Sequence, residues 1–311
     1  MFYPLLLYAL FAAIFTISKT SLGYAEPLFL VGTRMACAGA LMLLYQAIFS
    51  KKGCRIGKKQ LTPILLLALF NIYLTNACEF WGLKYLTSAK TCFIYSLTPF
   101  ISAILAYFFL SERMTGKKWI GLCIGCSGLM PILFSTTEVE ALTGRFFAFS
   151  WAEIAVMGAA CSSAYGWILL KQLMDQSCLS PLTVNGWSML LGGGAALLHS
   201  LAVEPWEPVP IYSWWPFLTC TLLLIALSNL ICYNLYGWLL RRFSATFISF
   251  AGYSTPFFTA FFGWLFLAEK VDGAFCLSSI IVLFGLILFY QEEPKRQPAI
   301  QSHLTATLPA L

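Results

Sequence analysis

Four ionisable residues lie inside or at the ends of apolar runs in the first half of this 311-residue chain: Lys19, Arg34, Glu79 and Lys90. A charge inside an apolar span is costly and marks a functional site by default. An arginine can grip a carboxylate with two parallel hydrogen bonds, and a glutamate can attract a cation or carry a proton. The residues therefore predict a mixed-charge binding cluster. The alternative is a structural Arg34–Glu79 pair, with the lysines extending to the lipid headgroups.

The composition around these charges is that of a membrane protein. Charged residues make up 10% of the chain and apolar residues 59%, whereas soluble domains carry roughly 25% charged residues. The eleven cysteines are mostly scattered through apolar runs, where they behave as small hydrophobic residues. The net charge of +6 comes from loops, so it sets orientation and does not indicate a nucleic-acid partner.

The apolar runs predict an all-α fold with ten transmembrane helices. Each run has about 17–25 residues, which is enough to cross the hydrocarbon core. The predicted spans are 2–19, 27–49, 61–83, 88–110, 117–135, 151–170, 181–201, 214–238, 244–267 and 271–291. With the N-terminus in the cytoplasm, thirteen of the 19 Lys and Arg residues fall on the inner side and five on the outer side. Both termini are therefore expected in the cytoplasm.

A segment occurs twice, at residues 98–129 and 255–286, with a constant offset of 157 residues. Each copy begins with Thr-Pro-Phe and contains the turn pattern E-[RK]-x-x-G. Because each half holds five predicted spans, the second copy must cross in the opposite direction, as in inverted-repeat carriers. Pro99 and Pro256 interrupt the fourth and ninth spans at equivalent places, either as gates or as static kinks.

Ten spans, two inverted five-span halves and the doubled motif resemble the drug/metabolite transporter superfamily, EamA type. The resemblance covers residues 1–291 and implies a first repeat at 1–135, a second, inverted repeat at 151–291 and a central cavity between them. The tail at 292–311 is polar and is expected to be disordered and cytoplasmic. The sequence as a whole is similar to the S-adenosylmethionine/S-adenosylhomocysteine exchangers of obligate intracellular bacteria. That similarity implies a bacterial inner membrane and exchange by alternating access.

Aromatic residues within the spans that line the cavity in this family could form a box for a planar ring and a cation. Together with the charges and one amide, they complete the predicted substrate-binding set: Arg34, Glu79, Lys90, Tyr95, Tyr165, Trp167, Asn234 and Tyr253. S-adenosylmethionine offers an adenine, a sulfonium, a carboxylate and an ammonium, although a zwitterionic aromatic amino acid would fit nearly as well. For each aromatic, simple packing is the competing interpretation.

Other functions fit the sequence less well. With two histidines and no intramembrane Asp pair, a catalytic set or a metal site lacks parts, and no cofactor is expected. The alternatives that remain open are a proton-coupled exporter of amino acids or related metabolites, and a membrane scaffold or receptor that transports nothing. The expected partners are a small-molecule substrate and the lipid bilayer. A ridge of Gly121, Gly125 and Gly128 favours packing within one chain, so a monomer or a weak homodimer is expected.

Overall fold

A computed structural model gives the fold of the chain. The structure describes residues 2–49, 56–110, 115–128, 130–134, 137–147, 149–176, 179–240, 242, 248, 252–269 and 273–290. Three features of the predictions lie outside these residues: Glu112 of the first E-[RK]-x-x-G turn, most of the first eight residues of the ninth span, and the tail at 292–311.

The described chain is almost entirely helical, as expected. The helices of the first half are α1 (Phe2–Ser21), α2 (Pro27–Phe49), α3 (Lys58–Leu67), α4 (Thr75–Tyr85), α5 (Ser88–Tyr95), α6 (Thr98–Leu110), α7 (Gly116–Ser127), α8 (Met130–Phe134) and α9 (Glu138–Ala141). The antiparallel strands β1 (Arg145–Phe146) and β2 (Phe149–Ser150) connect the halves. The helices of the second half are α10 (Trp151–Gln176), α11 (Pro181–Val203), α12 (Trp214–Leu224), α13 (Tyr233–Leu240), α14 (Thr255–Leu267) and α15 (Gly273–Tyr290).

Seven helices in the described residues are long and apolar enough to cross a membrane. The fourth predicted span is not among them, because α5 ends at Tyr95 and α6 restarts at Thr98. Pro99 follows at the second position of α6, where the missing amide hydrogen costs no helical hydrogen bond. The predicted interruption of the span at 88–110 thus lies at the break between α5 and α6. In the ninth span, α14 begins at Thr255 after a 3₁₀ turn, and Pro256 takes the same second position.

Two π-helical segments sit at equivalent places in the two halves. Ala68–Leu74 joins α3 to α4, and Ile225–Cys232 joins α12 to α13. Their first residues are 157 positions apart, which is the offset of the sequence repeat. A π-helical segment widens the turn and is frequent at functional sites. The first segment ends just before Thr75, and the second contains Ser228 and ends just before Tyr233; these three residues line the central cavity described below.

Close helix pairs join the two halves through glycines. A Cβ on Gly285 of α15 would lie 2.5 Å from the amide nitrogen of Gly125 of α7. A Cβ on Gly193 of α11 would lie 2.5 Å from the amide nitrogen of Ala36 of α2. Only residues without a larger side chain allow these backbones to approach so closely. The predicted ridge that contains Gly125 thus packs within the chain, as favoured from the sequence.

Charged side chains cap three helix termini at one end of the molecule. Lys19, near the end of α1, donates to backbone carbonyls at the end of α4 at 2.6 and 2.7 Å. Glu269 accepts hydrogen bonds from the backbone amide of Ser88 at 2.8 Å and from its hydroxyl at 2.7 Å, at the start of α5. Glu204 accepts from two amides in the first turn of α2 at 2.6 and 2.9 Å. Each charge complements the dipole of the helix end that it binds.

Other contacts show which connections lie at this capped end of the molecule and which lie at the opposite end. At the same end as these caps, Glu26 pairs with Lys84 at 3.1 Å and accepts a hydrogen bond from Tyr212. That hydrogen bond to a carboxylate raises the pKa of Tyr212 to about 12. Lys171 of α10 donates to the carbonyl of Leu240 of α13 at 3.1 Å. Since α10 begins beside the capped end and is 26 residues long, this contact lies at the opposite end.

Candidate functional site

A cavity with about 880 Å³ of empty space lies between helices of both halves. It is lined by Tyr8, Phe11, Ile14, Phe15, Arg34, Thr75, Asn76, Glu79, Cys92, Tyr95, Ser96, Thr98, Ser163, Trp167, Ser228, Tyr233, Tyr236, Gly252 and Thr255. Four of the eight predicted binding residues are in this set: Arg34, Glu79, Tyr95 and Trp167.

Arg34 of α2 brings a buried positive charge to the cavity, with 2% of the residue exposed. Its Nη2 donates to Oδ1 of Asn76 at 2.5 Å, and its guanidinium lies 4.7 Å from the centre of the Phe80 ring. Its other two nitrogens, Nε and Nη1, are buried and have no hydrogen-bond partner among the described residues. A buried donor without a partner costs free energy. Arg34 therefore has two unused donors that a ligand acceptor, such as a carboxylate oxygen, could satisfy one at a time.

Asn76 orients this arginine, and the sequence analysis did not identify it. Its Nδ2 donates to the carbonyl of Ile72, one turn earlier, at 2.8 Å. That bond directs the amide oxygen toward Arg34. A signal was available, since Asn76 precedes Glu79 by three residues, and residues at this spacing share one face of a helix.

Glu79 supplies the negative charge of the cavity. Its Oε2 accepts a hydrogen bond from the hydroxyl of Tyr95 at 2.8 Å. The predicted alternative, a structural Arg34–Glu79 pair, is not found. Among the described residues, the ion pairs are Lys84 with Glu26 and Lys90 with Glu140 and Glu153. The cavity thus holds one charge of each sign, and the two are not joined to each other.

Aromatic rings line a second part of the cavity. Trp167 stacks on Tyr236 with ring centres 4.0 Å apart and planes inclined by 25°, and it lies 5.3 Å from Tyr233. Glu79 is six residues from the end of α4 at the capped end, whereas Tyr236 is four residues from the end of α13 at the opposite end. The cavity therefore extends along the helix axes, with Glu79 nearer one end and the stacked rings of Trp167 and Tyr236 nearer the other.

The two halves differ at the residues that follow their π-helical segments. At the offset of 157 residues, Asn76 corresponds to Tyr233 and Glu79 corresponds to Tyr236. All four residues line the cavity. The same backbone feature thus presents an amide and a carboxylate in the first half and two phenol rings in the second.

Lys90 does not line this cavity, although it was predicted to join the charged cluster. It is buried beside two carboxylates, with its Nζ 2.9 Å from Glu140 and 2.8 Å from Glu153. Ser150 also donates to Glu140 at 2.9 Å. Through these contacts, Glu140, Ser150 and Glu153, in and beside the connection between the halves, pack against the start of α5. Lys90 therefore belongs to a packed ion cluster.

Three other predicted residues also lie outside the cavity lining. Tyr165 packs edge-on against Phe70 at 5.0 Å, and the hydroxyl of Tyr253 donates to the carbonyl of Ser279. Asn234 donates to the carbonyl of Leu230 at 2.9 Å and accepts from Asn185 at 3.2 Å. Each has the packing or interhelical role that was its competing interpretation.

The cavity includes further residues that the sequence analysis passed over. The most prominent are Tyr8 and Phe11, with Phe15 on the same side of α1. Their spacing of three and four residues places them on one helix face. Ser96, Ser163 and Ser228 add hydroxyl groups. Small hydroxyl residues are common in membrane helices, so nothing in the sequence distinguished these three.

A second cavity, with about 1,030 Å³ of empty space, lies nearer the capped end. Its lining includes Glu26, Lys84 and Glu204, which already bond to protein partners. Tyr73 also lines it, with its hydroxyl 3.0 Å from Nδ1 of His199. The first cavity is the better candidate site because two nitrogens of its buried arginine have no hydrogen-bond partner among the described residues.

Comparison with known proteins identifies the class of the chain. The sequence profile of the EamA-like transporter family matches residues 1–134 and 150–291. A solved crystal structure of 14% sequence identity superposes with a TM-score of 0.63 over 92% of this chain and 93% of that chain, which shows the shared fold. The chain belongs to the EamA-like transporter family. It is a membrane transporter and not an enzyme.

Two groups of named relatives match most of the chain. The S-adenosylmethionine/S-adenosylhomocysteine transporter of Chlamydia muridarum is 39% identical over 281 residues, covering 90% of this chain and 87% of the relative. The transporter of the same name from Chlamydia trachomatis serovar L2 is 39% identical over 282 residues, covering 90% and 85%. The uncharacterised transporter YoaV of Bacillus subtilis is 24% identical over 271 residues, covering 87% and 89%.

Proposed function

We propose that this chain takes up S-adenosylmethionine in exchange for S-adenosylhomocysteine. The chlamydial relatives support this proposal by their printed name and by 39% identity over most of both chains. The substrates carry a carboxylate, an ammonium and an adenine, and the methylated one also carries a sulfonium. The cavity offers a chemical complement for each of these groups.

The observation that carries the proposal is that two of the three guanidinium nitrogens of Arg34 make no hydrogen bond to the described residues. Nε and Nη1 are buried and have no hydrogen-bond partner among the described residues, and the α-carboxylate of the substrate supplies an acceptor for one of them. Glu79 then attracts the positive part of the substrate. The planar rings of Trp167, Tyr233 and Tyr236 suit the adenine, because aromatic rings stack favourably with bases. Tyr95 holds Glu79 through its hydroxyl.

The proposed topology has ten spans, arranged as inverted five-span repeats at 1–135 and 151–291, with both termini in the cytoplasm. The loop charges support this orientation. The contacts that gather the connections after α1, α4 and α11 at one end also support it. The capped end is then the outer side of a bacterial inner membrane.

Alternating access in this topology requires each half to change shape around the cavity. The restarts of α6 and α14, with Pro99 and Pro256 at equivalent positions, supply two breaks in otherwise apolar spans. The π-helical segments beside the cavity supply two more. These four places are the proposed gates, because a helix bends most easily where its regular hydrogen bonds are interrupted.

An uptake experiment tests the proposal. Cells that express the chain should accumulate labelled S-adenosylmethionine, and unlabelled S-adenosylhomocysteine should compete while free amino acids should not. Proteoliposomes loaded with S-adenosylhomocysteine should take up the label faster than empty ones. Uptake that follows an imposed proton gradient instead would favour the proton-coupled exporter. An absence of flux for any metabolite tested would favour the scaffold.

A further inference from the structure

Glu79 stands out because it is the only carboxylate among the described residues that line the cavity. We propose that Glu79 sets the relative affinity of the cavity for a cationic and an uncharged adenosyl substrate. The inference rests on the proposed function and adds the residue that distinguishes the two exchange partners.

The two substrates differ by one methyl group and one charge. Both carry an adenosine, an α-carboxylate and an α-ammonium, and only the methylated compound carries a sulfonium. A trialkyl sulfonium has no N–H or O–H group to donate. A site therefore recognises it through opposite charge or through aromatic faces. At neutral pH the methylated compound has a net charge of +1 and the other compound has none.

The charges of the cavity are balanced before either substrate enters. In the part of the chain that the structure describes, the lining carries the guanidinium of Arg34 and the carboxylate of Glu79 as its charged groups. Without the carboxylate, the cavity would hold a net positive charge, and the cationic substrate would add a second one. Like charges at short range inside a protein repel strongly. This repulsion weakens binding of the cationic substrate whether Glu79 faces its ammonium or its sulfonium.

The contacts of Glu79 leave it available for this role. The hydroxyl of Tyr95 occupies Oε2 at 2.8 Å, and neither Arg34 nor any lysine among the described residues forms an ion pair with Glu79. Glu269, a carboxylate with a structural role in the same chain, has more hydrogen-bond partners. Glu269 accepts three hydrogen bonds, from the backbone amides of Ser88 and Ala89 and from the hydroxyl of Ser88.

Equilibrium binding of both labelled compounds to the purified full-length chain in lipid nanodiscs tests the inference. Glu79→Gln should weaken binding of S-adenosylmethionine by at least about tenfold more than binding of S-adenosylhomocysteine. Arg34→Gln should shift the affinity ratio in the opposite direction, because it removes the positive charge. Glu138→Gln makes the same chemical change on an exposed residue outside the cavity and should leave both affinities unchanged.

The outcomes separate this inference from the proposed function. Equal weakening of both compounds in Glu79→Gln would overturn the inference, while binding of both by the wild-type chain would leave the proposed function intact. Wild-type protein that binds neither compound would overturn the proposed function itself. Should Glu79→Gln fail to insert, the Arg34→Gln ratio decides, and an unchanged ratio there would also overturn the inference.

Discussion

Arg34 and Lys90 are two buried cations in the same half of the chain, and they have opposite surroundings. Lys90 lies between two carboxylates, at 2.9 Å from Glu140 and 2.8 Å from Glu153. Arg34 contacts one amide oxygen and the face of one phenylalanine ring, and two of its nitrogens have no hydrogen-bond partner in the described part of the chain. A paired buried charge holds structure together, whereas a buried charge with unused donors indicates a place for a ligand.

The largest effect should come from breaking the paired cation. Lys90→Met would leave Glu140 and Glu153 buried without their counter-charge, so we expect the free energy of unfolding to fall by about 3–5 kcal/mol. Thermal unfolding in detergent, with wild-type protein as the reference, measures the loss. A Lys90→Met protein as stable as wild type, with substrate uptake lost, would instead return Lys90 to the binding site.

The unpaired cation should respond in the opposite way. Arg34→Met removes a cation that forms no ion pair among the described residues and makes one side-chain hydrogen bond, so the same unfolding measurement should show a smaller loss than Lys90→Met. Substrate binding should weaken by about 2 kcal/mol or more, or roughly 30-fold, because the substrate carboxylate then lies buried without a donor. If Arg34→Met instead destabilises the protein as much as Lys90→Met while binding is retained, the distinction between the two cations is wrong.

The sequence could predict Arg34 and Glu79 because a charge stands out within an apolar run. It could not separate Lys90 from them, because its partners lie 50 and 63 residues away in and beside the connection between the halves. Such pairings depend on how the helices assemble. The π-helical segments were also missed, since the residues at 68–74 and 225–232 follow ordinary apolar patterns.

The repeat was a better guide to the fold than to the site. Its two glutamates are set by the sequence pattern E-[RK]-x-x-G, and Glu269, the one that the structure describes, caps α5 and does not line the cavity. The cavity residues that differ between the halves, such as Glu79 and its counterpart Tyr236, carry no motif. The two halves share the π-helical segment before these positions but differ in the side chains that follow it, a carboxylate in the first half and a phenol in the second.

The smallest effect should come from Glu269, which extends the comparison from cations to carboxylates. Its oxygens are occupied by two backbone amides and a hydroxyl at the start of α5. Glu269→Gln keeps the shape of the side chain but removes the charge that complements the helix dipole, so we expect unfolding to become easier by about 1 kcal/mol. Affinity for the substrate should stay at the wild-type value. The contrary outcome is a Glu269→Gln protein of unchanged stability that discriminates between the cationic and the uncharged substrate as poorly as Glu79→Gln. That result would show that a carboxylate with all its hydrogen bonds made also acts on the ligand. The distinction between paired and unpaired charges would then be wrong.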